Sequence, residues 1–296
     1  MIYSPLRYPG GKAKLTAYIL ETMKINNLEG GSYVEPFAGG AAIAWYLLLN
    51  NHVSKIYIND LNPSIYSFWY SAIYRTSELC QLIERTTVSI DEWHNQKSIQ
   101  ANEKSTLLER GFSTFFLNRT NRSGIINAGV IGGLKQDGDY KLDCRFNKER
   151  LIQQIKLISD RREDIFLTNM DGAVFLDEIV AGLNERVLVN IDPPYYVKGK
   201  GLYQNFFSHK DHYRLYESVK RLKQPWVVTY DDTPEINDIY SKFSPEPFGL
   251  TYTAQLKRKG REVIIHRPSL KLCGFPPDIT FLELNREKKK LARKIA

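Results

Sequence analysis

The chain has 296 residues, 43% of them hydrophobic and 25% charged, with a formal net charge of +8. That length and composition suit one large globular domain, or a domain with an insertion, and exclude a disordered or fibrous chain. The positive balance favours an anionic partner, nucleic acid before an acidic membrane.

In chain order, KAKLTAYILETMKI has Leu15, Ile19, Leu20 and Met23 at helical spacing. SYVEPF reads as a short strand entering the glycine loop AGGAA, and AAIAWYLLLNN as a mostly apolar helix. KIYIND is a second strand ending at Asp60, and Pro63 suits the first turn of the helix after it. From about residue 65 to 159 helical stretches such as SIYSFWYSAIYR and TLLERGFSTFFLN dominate, followed by a glycine-rich loop or hairpin over 120–139. The α/β pattern resumes with the strand IFLTN and the nearly continuous apolar strand RVLVNID, the pattern of a central parallel strand. SHKDHYRLYESVKRL is an amphipathic helix, WVVTYDD a strand and TPEINDIYSKF a helix with a threonine cap. EPFGLTYTAQ and REVIIHR read as a closing antiparallel hairpin, and NREKKKLARKIA as a basic helix or frayed end. The expected fold is α/β, a Rossmann-like doubly wound mixed sheet with an inserted, mainly helical domain. The catalytic domain is expected over 1–64 and 160–296, the insertion over 65–159.

The start, MIYSPLRYPGGKAKL, lacks the apolar core of a secretory signal. The longest apolar run, Ala41 to Leu49, falls short of the ~20 residues a bilayer span needs. Cys80, Cys144 and Cys273 are widely spaced with no CxxC, so neither a zinc cluster nor a disulfide framework is implied. A cytoplasmic protein with reduced thiols and no membrane partner is expected. His209 and His212 form an HxxH without a third ligand motif, and no metal site is expected.

VEPFAGGAA follows a strand and opens a helix, so Gly39 and its neighbours let a ligand approach the backbone. Asp60 ends the next strand, about 20 residues on, where such folds place an acid on ribose hydroxyls. A plain strand-to-helix turn accounts for the glycines equally well. No GxxxxGK[ST] occurs, and Glu35 before the glycines would repel a pyrophosphate but suit a cationic cofactor. S-adenosylmethionine has that character: a ribose for Asp60, a sulfonium, an ammonium for acids and a carboxylate for Lys12.

NIDPPYY places Asp192 at the end of the central strand, the edge where open α/β sheets bind ligands. Pro193 and Pro194 fix the backbone and remove two N–H donors, leaving acceptors, which suit an amino group. Tyr195 offers a ring face for a planar base. Together they read as a receptor for an exocyclic amine on a flat heterocycle. Hydrogen bonds from that amine to Asp192 and a proline carbonyl free its lone pair for in-line attack on a methyl group, with no covalent intermediate.

The blocks PLRYPGGKAKL, YVEPFAGGAAIA, YINDLN and NIDPPYY, in this order, resemble those of the alpha-group, Dam-like DNA adenine methyltransferases, and AQLKRKGREVII resembles that family's closing hairpin. The resemblance brackets nearly all of residues 4 to 266. It implies that Tyr8, which departs mildly from the tryptophan of some members, and Lys12 contact S-adenosylmethionine. Phe37 would pack on this cofactor, with Glu35 near its amino end, and Asp60 would hold its ribose. Residues Asn169 to Asp171 would line the cofactor's adenine, and Asp192, Pro193, Pro194 and Tyr195 would bind the target adenine. The insertion corresponds to a target-recognition domain. The implied activity is site-specific methylation of adenine N6 in double-stranded DNA, with a cognate restriction endonuclease as partner or an orphan role in phage or host, and a monomer as the default state.

A base inside a duplex cannot reach such a pocket, so it must be flipped out. FLNRTNRSGIINAGVIGG offers Arg119, Asn121, Arg122 and Asn127, side-chain types that read guanine and adenine. KLDCRFNKERL adds Lys141, Arg145 and Lys148, and Lys198 and Lys200 sit in a glycine loop suited to closing over the base or holding phosphate. Each basic residue singly is better explained by a solvated surface; the expectation rests on the cluster. Rival readings are methylation of RNA or cytosine N4, a non-catalytic DNA-binding protein, and a nicotinamide oxidoreductase. They are disfavoured, respectively, by block order and an initial Asp, by the intact Asp192–Tyr195, and by the absence of GxGxxG.

Overall fold

The computed structural model describes residues 4–8, 12–183, 186–197, 207–252 and 258–274. Its helices and strands begin with α1 (Thr16–Ile25), β1 (Ser32–Glu35), α2 (Ala42–Leu49) and β2 (Lys55–Asn59). Five helices follow: α3 (Pro63–Tyr74), α4 (Thr76–Arg85), α5 (Ile90–Ala101), α6 (Leu107–Thr120) and α7 (Lys148–Ser159). Then come β3 (Ile165–Thr168), α8 (Gly172–Glu178), β4 (Val187–Ile191), α9 (His209–Arg221), β5 (Trp226–Asp231), α10 (Pro234–Ile239), β6 (Glu246–Tyr252) and β7 (Arg258–His266). Two compact units form: Met1–Ala13 with Ala38–Asp171, and Lys14–Phe37 with Gly172–Ala296.

In the first unit β2 and β3 run parallel, Ile56 opposite Ile165 and Asn59 opposite Thr168. Its core is aromatic: Trp45 and Trp69 lie 4.8 Å apart, and Phe68 stacks on Phe115 at 5.8 Å. Such ring pairs add to the area they bury. A capping box starts α6, the Glu109 amide donating to Thr106 Oγ1 and the Thr106 amide to Glu109 Oε2. Gly111 lets α6 approach α3, since a Cβ there would stand 2.5 Å from the Ser67 carbonyl oxygen. The stretch expected at 65–159 as an insertion lies wholly within this unit.

Where a hairpin was one expectation for 120–139, the chain forms successive turns around one isolated antiparallel bridge, Asn121 to Val130. Ser123, Gly124, Gly132, Gly133 and Gln136 all have positive φ. The Gln136 amide donates to the Ile131 and Gly133 carbonyls and accepts from the Leu142 amide. Local side-chain bonds thus satisfy backbone that a ladder would otherwise pair.

The second unit holds strands in the order β1-β4-β5-β7-β6. β1, β4 and β5 are parallel; β7 is antiparallel to both β5 and β6. Every residue of β4 is buried, as the continuous apolar run requires of a central strand. A capping box of Ser208 and Asp211 starts α9, and Asp177 of α8 accepts from Ser218 and Arg221 of α9. The fold is α/β and Rossmann-like, with mixed strand directions, as the sequence predicts. Among the described residues no helix is long and apolar enough to cross a membrane.

Candidate active site

In the first unit the glycine loop is built around Asp60. Gly39 N donates to Asp60 Oδ2 at 2.8 Å and Asn62 N to Asp60 Oδ1 at 2.9 Å. Asn62 then caps α3 through Ser64 N, with Pro63 in the first turn. Gly39 has φ of +47°, and a Cβ on it would lie 2.7 Å from the Tyr8 ring, so Tyr8 packs directly over the loop. Trp69 Nε1 donates to the Gly39 carbonyl, and Ser4 Oγ to that of Gly40. Desolvation pushes the Asp60 carboxyl up to about 6, against the two backbone N–H groups, which lower it. Each of its oxygens keeps a lone pair beyond the bond from the loop, and the residue is half-buried, so ligand hydroxyls have acceptors to meet.

Asn169 Nδ2 donates to the carbonyls of Asp60 and Leu61, and Asn59 holds Met170 from both sides of its backbone. Asn169 therefore shapes the Asp60 loop. Lys12 is buried and Asp171 half-buried in the same unit.

In the second unit Glu35, at the end of β1, is buried and accepts from Tyr33 Oη at 3.0 Å. Complete burial, then the charge and hydrogen bond of Glu35, push the Tyr33 phenol well above its ordinary range, opposed by a bond from Asn190. Phe37 lies flush on the start of α8. A Cβ on Gly172 would stand 2.4 Å from Phe37 Cζ, and Phe207 meets the Phe37 ring edge-on at 5.8 Å.

The segment after β4 is held mainly by β5 and β7. Thr229 Oγ1 donates to Asp192 Oδ1 at 2.8 Å. Pro193 and Pro194 have no N–H; beyond Tyr195, the amides of Tyr196 and Val197 donate to the two oxygens of Asp231 at 2.8 and 3.0 Å. Tyr195 is 6% exposed, and its hydroxyl donates to Glu262 Oε1 at 2.6 Å. The Tyr196 phenol meets His209 Nδ1 at 3.1 Å, and its ring lies 5.0 Å from that of His212. His212 is fully buried, bonds Tyr230 Oη through Nδ1, and is pushed down to about 4 by burial. The HxxH pair thus supports this segment, and the described residues hold no group of three or more metal-ligating side chains.

Sequence reasoning missed Thr229, Asp231, Glu262 and Gly172. A signal existed for three of them. Thr229 and Asp231 alternate on one face at the end of β5, and Glu262 is an acid inside an apolar strand.

The DNA-reading expectation needs one correction. Asn121 is completely buried: its Oδ1 accepts from Trp93 Nε1 at 2.6 Å, and its Nδ2 donates to the carbonyls of Ile125 and Ile126. It holds the turn and has no edge left for a base. Arg119 is also largely enclosed, held down to about 9 by burial and then by Arg7, Arg150 and Arg145. Arg122, Asn127 and Arg145 are exposed. Lys198 and Lys200, and the basic tail, lie outside the described residues.

The family model for D12 class N6 adenine-specific DNA methyltransferases matches residues 8–254. The type II methyltransferase M.MjaIII of Methanocaldococcus jannaschii is 26% identical over 204 residues, 64% of this chain and 68% of that protein. Among solved structures, the rRNA methyltransferase aviRa of Streptomyces viridochromogenes aligns with a TM-score of 0.37 at 12% identity, covering 88% of this chain and 86% of its own. A conserved hypothetical protein of Streptococcus pyogenes aligns with a TM-score of 0.33 at 11% identity, covering 86% and 99%.

Proposed function

Because the chain belongs to the D12 class of N6 adenine-specific DNA methyltransferases, we propose that it uses S-adenosylmethionine to methylate the N6 amine of an adenine flipped out of duplex DNA at a specific site. The observation that carries this reading is the acceptor set after β4: Asp192 fixed by Thr229, followed by two prolines that contribute carbonyls and no donors.

Asp60 is the acceptor for ribose hydroxyls, a role that fits its half-buried carboxylate with both oxygens already oriented by backbone N–H groups. Glu35 takes the ammonium, Lys12 the carboxylate, Tyr8 and Phe37 apolar contacts, and Asn169 to Asp171 the cofactor's adenine. When bound, S-adenosylmethionine supplies a methyl group on a sulfonium, open to attack by a neutral amine.

Asp192 and the Pro193 carbonyl accept hydrogen bonds from the target amine. This draws the lone pair out of the heterocycle's π-system and aims it along the line of transfer. The nitrogen gains a bond to carbon as the carbon–sulfur bond breaks and the sulfur leaves as a neutral thioether, and the amine's proton passes toward the Asp192 carboxylate. Tyr195 stacks on the base; since its ring is buried, an incoming base reaches it only after the cover over it shifts. The 65–159 insertion serves as the target-recognition domain, with the exposed Arg122, Asn127 and Arg145 toward the DNA.

The test is incubation with labelled cofactor and unmethylated genomic DNA, followed by nucleoside analysis. Label is expected in N6-methyladenine, and Asp192→Ala is expected to lower the rate at least ~100-fold while duplex binding persists, as loss of a positioning acceptor does. Near-normal turnover by that variant would overturn the mechanism.

A further inference from the structure

We propose that Glu262 is a positioning residue for the transfer: it fixes the ring of Tyr195 through the phenol and so sets the surface against which the target adenine stacks. The inference rests on the adenine reading of Tyr195 given above.

Glu262 is fully buried in β7, a strand whose next three residues, Val263, Ile264 and Ile265, are buried and apolar. A carboxyl group in such a strand is costly to desolvate, and a leucine would fill the place without that cost. What it does with its position is visible: Oε1 accepts from Tyr195 Oη at 2.6 Å, at the short end of hydrogen-bond lengths.

The register explains why this bond matters. Glu262 lies directly opposite Asp231 on β5 and Phe248 on β6. Directly opposed residues in an antiparallel pair share a face. Two acids on one face therefore hold three consecutive residues, Glu262 taking the Tyr195 phenol and Asp231 the Tyr196 and Val197 amides. Asp231 fixes the backbone that follows the tyrosine. Glu262 fixes the far end of its side chain, and a ring tied at both ends cannot swing about its side-chain torsions. Transfer depends on orientation, so this restraint acts on the chemical step more than on cofactor binding.

The experiment uses the full chain with S-adenosylmethionine and unmethylated genomic DNA, in wild type, E262L, E262Q, Y195F and Y195F/E262L, with thermal melts of each. Expected are a kcat about tenfold lower in E262L and in Y195F, an unchanged KM for the cofactor, and a double variant no slower than the slower single one. E262Q keeps an acceptor oxygen and is expected to recover to within about threefold of wild type. A wild-type kcat in E262L, losses that multiply in the double variant, or an effect confined to the cofactor's KM would each overturn the proposal. Should E262L not melt cooperatively, the same cycle is run with E262Q, and multiplying losses again overturn it. Absence of transfer by the wild type overturns the methyltransfer reading itself; an active wild type with an indifferent E262L overturns only the role of Glu262.

Discussion

Asp231 of β5 stands directly opposite Glu262 of β7, and between them the two acids anchor residues 195 to 197. Asp231→Ala removes the carboxylate that accepts from the amides of Tyr196 and Val197, shortly after the proline pair. Both amides are only part-buried, so each lost bond costs about 0.5–1.5 kcal/mol. The expected result is a lower melting temperature together with a rate reduced by at least ~10-fold, since the acceptor geometry at Asp192 loosens with the segment. Asp231→Asn, with one acceptor oxygen, is expected to fall between. Steady-state kinetics beside calorimetry checks both.

Gly172 is required by the Phe37 ring. A methyl group at this position meets Phe37 Cζ at 2.4 Å, closer than any real contact. Gly172→Ala is expected to destabilise by about 1–3 kcal/mol through overpacking and to raise the cofactor's KM by displacing Phe37. An unchanged melt with unchanged KM would remove Phe37 from the cofactor site.

Two groups set opposing pH dependences. Burial holds His212 at about 4 in the folded chain against an ordinary 6.5, so unfolding takes up a proton between those values. Its contribution is present above pH 6.5 and is lost as pH falls through 4. Desolvation raises Asp60 from 3.8 to about 6, so unfolding releases a proton there. Its contribution is present below pH 3.8 and is lost as pH rises through 6. The two slopes oppose one another across roughly pH 4 to 6. Asp60→Asn is therefore expected to steepen the rise of melting temperature with pH in that window, and His212→Asn to flatten or reverse it. A pH series of thermal melts from 4 to 8 reads both.

Asn121 and Arg122 are neighbours with different roles. Asn121→Ala breaks the bonds to Trp93, Ile125 and Ile126. The expected loss is about 2–3 kcal/mol of stability, from buried partners left unpaired. Arg122→Ala, on the exposed side of the turn, is expected to leave the melt unchanged and weaken DNA binding. If it touches a phosphate, the salt slope of log K falls by about 1; if it reads a base, the loss is confined to cognate sites. Binding titrations at several salt concentrations separate the two.

Most of the α/β framework was legible because it is carried by local pattern. The apolar run of β4, the proline that starts α3 and the threonine that caps α10 each announce their element within a few residues. The strand ends bearing Asp60 and Asp192 were legible for the same reason. What supports them was not. Thr229, Asp231 and Glu262 reach Asp192 and the residues after it across 34 to 67 positions of chain. Only strand pairing reveals such contacts. Asn121 misled the reading because its residue type suits base recognition, whereas burial by Trp93 turned its amide inward. Tyr196, unexplained by its sequence context, is accounted for by Asp231 and His209.

The bond between Tyr195 and Glu262 also orders events in time. Its partners are 67 residues apart. At synthesis rates of about 5–20 residues per second, Tyr195 emerges roughly 3–13 s before the residue that holds its phenol. During that interval the DPPY segment exists without its anchor, and β5 has no antiparallel neighbour. A ribosome-bound fragment ending before β7 is thus a chain with its acceptors written but not aimed, and competence arrives with β7 rather than with the motif that bears the chemistry.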